Sequence, residues 1–143
     1  MRDEWPLGLI LLDGDYFKLY NDTYGHQKGD WCLQQVASVL KKVAHRAGDL
    51  PARYGGEEFA LILPNTELQG IEYLARLINK FVQELNIPHQ ASKVASIVTV
   101  SVGYSVSFWD SRFTAEDLIH AADAALYQAK AQGRNQTQYR SLE

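Results

Sequence analysis

The run Leu50-Pro51-Ala52-Arg53-Tyr54-Gly55-Gly56-Glu57-Glu58-Phe59-Ala60-Leu61-Ile62-Leu63 holds two strand-like segments about a glycine pair. Glycine enters left-handed turn conformations at little cost, so Gly55-Gly56 predicts a tight β-hairpin. Pro51 has no backbone N–H to give to a ladder, so the first strand lies at a sheet edge or begins late. Pro64-Asn65-Thr66 closes the second strand. Two acids, Glu57 and Glu58, follow the glycines directly.

Upstream, Leu7-Gly8-Leu9-Ile10-Leu11-Leu12 is short, apolar and stopped by Asp13-Gly14-Asp15, as expected of a buried central strand running into a polar loop. Cys32, Leu33, Val36, Leu40 and Val43 recur at helical steps and predict a helix from Gly29 to about Val43, with Asp30 near its positive end. Downstream of the hairpin, Leu68, Ile71, Leu74, Leu77, Ile78, Phe81, Val82 and Leu85 predict a helix over Glu67–Leu85. The polar stretch Asn86–Lys93 reads as a loop. Ala95–Phe108, rich in Val, Ile, Thr and Tyr, reads as a strand. Thr114 with Asp117 resembles a capping box, opening a helix whose buried face is Leu118, Ala121, Ala122, Ala125, Leu126 and Ala129, with Gly133 as its C-cap. Strand, helix, hairpin, helix, strand, helix is the order of an α/β (α+β) fold with a mixed sheet and helices packed on it.

The chain has 143 residues, 46% of them hydrophobic, which suits one domain with a sizeable core. Its net charge of −3 excludes a global basic field for DNA, so an anionic substrate needs local cations or metal. The single cysteine, Cys32, excludes an internal disulfide and reads as a small core residue. The longest apolar run is too short to span a bilayer, and little precedes it that suits a signal peptide; a cytoplasmic protein without membrane contact is expected. Leu142-Glu143 has the look of a terminal scar.

If the hairpin lies beside the first strand, Asp13, Asp15, Glu57 and Glu58 collect at one edge of the sheet. Clustered carboxylates raise one another's pKa, and a hard divalent cation relieves that cost. Mg²⁺ takes a few carboxylate oxygens together with water and phosphate, so such an edge suits phosphoryl transfer.

Arg53-Tyr54-Gly55-Gly56-Glu57-Glu58-Phe59 resembles the signature loop of GGDEF-type diguanylate cyclases. Asp13-Gly14-Asp15-Tyr16-Phe17-Lys18 resembles that family's first metal loop. Asn21-Asp22-Thr23-Tyr24-Gly25-His26 with Gly29-Asp30 resembles its guanine-binding segment. Ala124-Ala125-Leu126-Tyr127, Ala129-Lys130 and Gly133-Arg134-Asn135 resemble its C-terminal signature. The motifs fall in family order and spacing over nearly the whole chain.

The resemblance implies a palm-like, largely antiparallel sheet flanked by helices, as in nucleotide cyclases and polymerases. It implies a diguanylate cyclase that condenses two GTP into cyclic di-GMP with loss of two pyrophosphates, in bacterial second-messenger signalling. Asp13, the Gly14 carbonyl and Glu57 would hold two Mg²⁺ or Mn²⁺ ions per half-site. Glu57 would accept the proton and Glu58 assist, although a strand turns Glu58 to the opposite face from Glu57. Lys18, Lys130 and Arg134 would meet the phosphates. Asn21 and Asp30 would read guanine, with Phe17, His26, Gly55 and Gly56 also lining the substrate. One nucleotide per domain requires a homodimer.

Arg46-Ala47-Gly48-Asp49 matches the family's product-inhibition site, where Arg46 and Asp49 would clamp cyclic di-GMP; Arg76 on the next helix is shifted from the register that would complete it. Gly14 stands where the family usually has an aliphatic residue. The first strand begins almost at once, without the family's preceding helix, so residues 1–143 read as one GGDEF domain cut from a larger protein with a sensory or receiver domain. The alternatives are a silent module that binds GTP or cyclic di-GMP, and a cyclase making a monomeric product.

Overall fold

A computed structural model describes residues 5–53, 55–108 and 112–142. Tyr54 of the signature loop and the terminal Glu143 lie outside them. Five strands and four helices are described: β1 Pro6–Gly14, α1 Phe17–Tyr24, α2 His26–Val43, β2 Leu50–Arg53, β3 Glu58–Pro64, α3 Leu68–Glu84, β4 Val100–Phe108, α4 Ala115–Ala131 and β5 Thr137–Tyr139. The strands form one sheet in the order β2-β3-β1-β4-β5. β1 is central, antiparallel to both β3 and β4, and only β4 and β5 run parallel. The expected mixed, largely antiparallel sheet with flanking helices is the observed one. β2 is an edge strand, which is where Pro51 belongs.

Period-two alternation sorts the strands onto two layers. Ile10, Leu12, Phe59, Leu61, Leu63, Val100, Val102 and Tyr104 point into the larger core, beneath the apolar stripes of α2 and α3. Leu9, Leu11 and Ala60 point the other way and meet Leu118, Ala122 and Leu126 of α4. α4 rests on β4 at Gly103, where backbone nearly touches backbone. Towards β3 the same sheet face is open, and Leu7, Leu9, Ala60, Ile62, Leu118 and Ile119 line an apolar groove of about 290 Å³.

α4 carries the predicted capping box: the Asp117 N–H donates to Thr114 Oγ1 (3.1 Å), and the Thr114 N–H donates to Asp117 Oδ2 (2.9 Å). The C-cap of α4 is Gln132, one residue before the expected Gly133, which follows it at φ +120°. Cys32 is buried among α2 neighbours, and desolvation pushes its thiol up to about 11, so it is an unreactive core residue.

Four other local expectations differ from the structure. A separate helix, α1, occupies Phe17–Tyr24, and the next helix starts at His26 rather than Gly29, so Asp30 sits beyond the first turn of α2. Gly25, at φ +90°, divides the two helices. The strand expected from Ala95 begins at Val100, the residues before it forming an isolated bridge between Pro88 and Ile97 instead of a ladder. The polar loop around residues 86–93 buries Ile87 and His89, because the Val98 N–H donates to the Ile87 carbonyl (2.8 Å) and the His89 N–H to Ser96 (2.9 Å). Finally, β5 is a three-residue strand of polar composition with no periodic signal to announce it.

Candidate active site

The β1–β3 ladder sets Asp13 directly opposite Glu58. Cross-strand partners share a face, so both carboxylates lie on the α4 side of the sheet. Lys130, near the end of α4, donates through Nζ to Asp13 Oδ2. Asp13 Oδ1 is buried and has no hydrogen-bond partner among the described residues. Glu58 has its pKa raised, first by burial and then by the charge of Asp13; Asp123 and Glu57 push the same way, and Lys130 opposes them. Acids from β1, the hairpin and α4 therefore converge on one end of the sheet.

This corrects one expectation about facing. Glu58, expected to turn away, is the acid in register with Asp13, while Glu57 lies in the turn just before β3. The turn bends as its glycines dictate: Gly55 and Gly56 have φ +70° and +48°. The Glu58 N–H donates to the Gly55 carbonyl (2.8 Å), and Arg53 Nε donates to the Gly56 carbonyl (2.7 Å). Among the described residues nothing stands within 4 Å of where a Gly56 Cβ would project, which leaves the backbone there open to a ligand.

The second expected acid of the first loop does something else. Asp15 is buried, and both its oxygens are occupied: Thr99 Oγ1 (2.7 Å) and the Asn135 N–H (2.9 Å) donate to Oδ2, Ser101 Oγ (2.6 Å) donates to Oδ1, and Arg134 Nη1 lies 3.9 Å from Oδ1. Three hydrogen bonds and a facing guanidinium occupy both oxygens of this carboxylate, so Asp15 is not part of the shared carboxylate cluster.

Asn21 lies on α1 and its Oδ1 is also buried without a partner among the described residues. A Cβ on Gly29 would fall 1.7 Å from that oxygen, so glycine at 29 makes the room the Asn21 amide occupies. Phe17 is buried in the larger core beneath this contact, stacked on Tyr20 at 5.8 Å. His26 and Asp30 are exposed on α2. Lys18 is 89% exposed and pairs loosely with Asp22 at 3.8 Å, an ion pair of little energetic weight.

Arg46 and Asp49 sit at the other end of β2 from the glycine turn. Arg46 pairs with Asp49 at 3.1 Å, and donates to the Pro64 carbonyl (2.7 Å) and to Thr66 Oγ1. The Asp49 side chain is 1% exposed, while that of Arg46 is 44% exposed and still presents an edge to solvent. Arg76 instead pairs with Glu72 at 2.9 Å, close enough to Tyr104 to influence its hydroxyl.

A family model described as "Diguanylate cyclase, GGDEF domain" matches residues 1–136. The chain belongs to the GGDEF family. The GGDEF domain is 41% identical over 129 residues to diguanylate cyclase A of Treponema denticola, covering 90% of this chain and 34% of that protein. It is 41% identical over 130 residues to the response regulator PleD of Caulobacter vibrioides, covering 91% of this chain and 28% of that protein. It thus spans about a third of the length of these relatives. Among solved structures it resembles the active GGEEF domain of a diguanylate cyclase from Vibrio cholerae, with a TM-score of 0.81 and 32% identity, covering 94% of this chain and 83% of that one. It also resembles the GGDEF domain of DgcB from Caulobacter crescentus, solved in complex with c-di-GMP, with a TM-score of 0.77 and 34% identity, covering 94% of this chain and 78% of that one.

The donor set of the GGDEF domain suits a hard divalent cation: carboxylate oxygens from Asp13, Glu57 and Glu58, one of them buried and unpartnered. No three His, Cys, Asp or Glu side chains among the described residues form a closed metal cage. Mg²⁺ commonly takes only one or two protein carboxylates and completes its shell with water and phosphate, so this open arrangement fits it. No described helix is long and apolar enough to cross a membrane. Thr99 and Ser101 have no place in the sequence reading, and Asn135 enters it only as part of the C-terminal signature. The alternation of Val98-Thr99-Val100-Ser101-Val102 does mark two hydroxyls on one strand face, but nothing local says that Asp15 awaits them.

The raised Glu58 pKa has a testable consequence in metal-free protein. The native state holds the Glu58 proton more tightly than the unfolded chain does. Its contribution to stability is therefore lost as pH rises from the ordinary glutamate pKa through the raised one. Glu58→Gln is expected to raise Tm at pH 7, and the gain should vanish near pH 4; calorimetry across that range checks it.

Proposed function

We propose that this domain joins two GTP molecules into cyclic di-GMP with Mg²⁺ or Mn²⁺, two ions per half-site. The observation carrying this reading is Asp13 facing Glu58 across β1 and β3 near the Gly55-Gly56 turn, with Asp13 Oδ1 buried and without a partner among the described residues. Asp13, Glu57 and the Gly14 carbonyl would hold the ions. When bound, they lower the pKa of the attacking 3′-hydroxyl and neutralise charge on the phosphates.

The chain's own groups do the rest. Glu57 accepts the proton of the 3′-hydroxyl as its oxygen bonds to the α-phosphorus of the other nucleotide and pyrophosphate leaves. Glu58, in register with Asp13, assists. Lys18, Lys130 and Arg134 present cations to the triphosphate, Arg134 through a planar fork suited to paired oxygens. Asn21 and the Asp30 carboxylate read guanine, the latter accepting from N1–H and the 2-amino group, a donor pair adenine lacks. Buried, unpartnered Asn21 Oδ1 supports that role, as it lacks a donor among the described residues. The Gly55-Gly56 backbone, His26 and Phe17 shape the rest of the nucleotide pocket. Two 3′-hydroxyl attacks are needed, so two domains must face each other about a two-fold axis, brought together by a sensory or receiver domain of the parent protein.

Incubating the protein with GTP and Mn²⁺ and separating the products tests this. Cyclic di-GMP with two equivalents of pyrophosphate is expected. A monomeric cyclic nucleotide, or GTP bound but never consumed, overturns it.

The same reading places product inhibition at Arg46 and Asp49. The exposed edge of the Arg46 guanidinium and its distance along β2 from the turn support a site separate from catalysis. Arg46→Ala is expected to raise the cyclic di-GMP concentration for half-inhibition at least tenfold. It should also loosen the β3–α3 turn, costing about 1 kcal/mol through lost bonds to Pro64 and Thr66. Progress curves with added product measure the first effect, and chemical denaturation the second.

A further inference from the structure

Asp13 and Asp15 are two residues apart at the end of β1, and each meets a cation from the end of α4: Lys130 reaches Asp13 and Arg134 reaches Asp15. The two pairs differ in how their carboxylates are finished. Asp13 keeps a buried oxygen without a partner among the described residues, whereas both oxygens of Asp15 accept hydrogen bonds, three in all. We infer that Asp15 is a positioning residue, which holds Arg134 and the turn after α4 in register with Asp13, so that Arg134 addresses the same phosphates as the acids of the first site. This rests on the reading of Arg134 as a triphosphate contact.

The turn needs such a hold. Gly133, Arg134 and Asn135 have φ of +120°, +64° and +50°, and two of these are non-glycine residues in a conformation that L side chains rarely adopt. The Arg134 N–H donates to the Ala129 carbonyl (2.9 Å), which closes the helix end, and the Asn135 N–H is secured by Asp15 itself. The Arg134 guanidinium then lies 4.5 Å above the Tyr16 ring, sandwiched between an aromatic face and a carboxylate. Tyr16 is fixed in turn: its φ is +56°, and the ring N–H at Nε2 of buried His89 donates to its carbonyl (3.0 Å). Arg134 is 29% exposed, so its remaining donors face outward. Asp15 thus joins the end of β1, the start of β4 and the C-terminal turn around one guanidinium.

Asp15→Asn separates charge from hydrogen bonding. The amide oxygen can still accept from Thr99 and Asn135, and the Ser101 hydroxyl can rotate to accept from the amide N–H, but the ion pair with Arg134 is lost. The affinities of Ca²⁺-GTP and of GMP are measured by calorimetry for the wild type, Asp15→Asn, Arg134→Gln and the double variant. Asp15→Asn is expected to weaken GTP roughly tenfold, because the charge 3.9 Å from the Arg134 guanidinium is lost, and to leave GMP unchanged. The double variant should be no weaker than Arg134→Gln alone. If Arg134→Gln weakens GTP and Asp15→Asn does not, the positioning role is refuted while the phosphate reading stands. If Arg134→Gln has no effect, the phosphate reading fails instead, and this inference with it. Equal losses of GTP and GMP affinity in Asp15→Asn also overturn it, as that is what general loosening produces. Should Asp15→Asn not fold, Ser101→Ala keeps the charge but frees the oxygen nearest Arg134; a roughly threefold fall in the GTP-to-GMP preference is expected, and an unchanged preference refutes the inference.

Discussion

Asp13→Asn should abolish the proposed synthesis of cyclic di-GMP, with a fall in kcat/KM of roughly 100-fold or more, about 3 kcal/mol of transition-state stabilisation. The substitution changes almost no volume, so the effect is electrostatic. Asp13 offers a buried oxygen with no partner among the described residues, and that is the oxygen a divalent ion would take. Asn presents a neutral oxygen or an N–H there, and neither replaces a carboxylate for a hard cation. Lys130 loses its anionic partner in the same stroke, leaving an ammonium that is 30% exposed with less charge against it. The Tm in metal-free buffer checks that the fold survives. Retention of more than a tenth of wild-type turnover in a folded variant would refute Asp13 as a metal ligand.

The largest expected effect on stability is at Gly103. A Cβ there would lie 2.1 Å from the Leu126 nitrogen, 2.6 Å from the Ala122 oxygen and 2.7 Å from the Ala125 carbonyl carbon. These are backbone atoms of α4, with no flexible side chain to swing aside. Gly103→Val would have to lift the helix from the sheet, separating Leu118, Ala122 and Leu126 from Leu9, Leu11 and Ala60. The expected cost is about 3 kcal/mol or more, a drop in Tm of roughly 10 °C, read from thermal or denaturant unfolding. Lifting α4 also moves Lys130 from Asp13 and Arg134 from Asp15, so activity should fall with stability. Gly8→Ala makes a useful contrast: its Cβ would fall 2.2 Å from Ile71 Cδ1 and 2.5 Å from Cγ1, side-chain atoms of the buried core rather than helix backbone, so a smaller loss of stability is expected.

Much of this was written in the sequence, and the failures have physical causes. The apolar run of β1, the stripes of α2, α3 and α4, the Thr114–Asp117 box and the edge position forced by Pro51 all follow from local chemistry. α1 was missed because its eight residues bury only Phe17 and Tyr20, too short a stripe for periodicity to reveal. β5 was missed because it is stabilised by its parallel neighbour and carries no apolar pattern of its own. At the site, the acids were legible as a group, but their division of labour was not. Asp13 and Asp15 look equivalent in Asp13-Gly14-Asp15; what separates them is Thr99 and Ser101, more than eighty residues away.

By itself, then, the sequence determined most of the inventory: the longer strands and helices, that a glycine pair turns the chain just before two acids, and which family those motifs belong to. Hydrogen-bonding preference, side-chain period and turn chemistry are local, and local information suffices for them. Only the tertiary structure decided partnership: that Glu58 rather than Glu57 is in register with Asp13, that Lys130 lies against one aspartate and Arg134 against the other, and that Arg46 ties into the Pro64–Thr66 turn. Those relations depend on ladder register and on how closely α4 approaches Gly103, and both are fixed by packing between residues far apart in the chain.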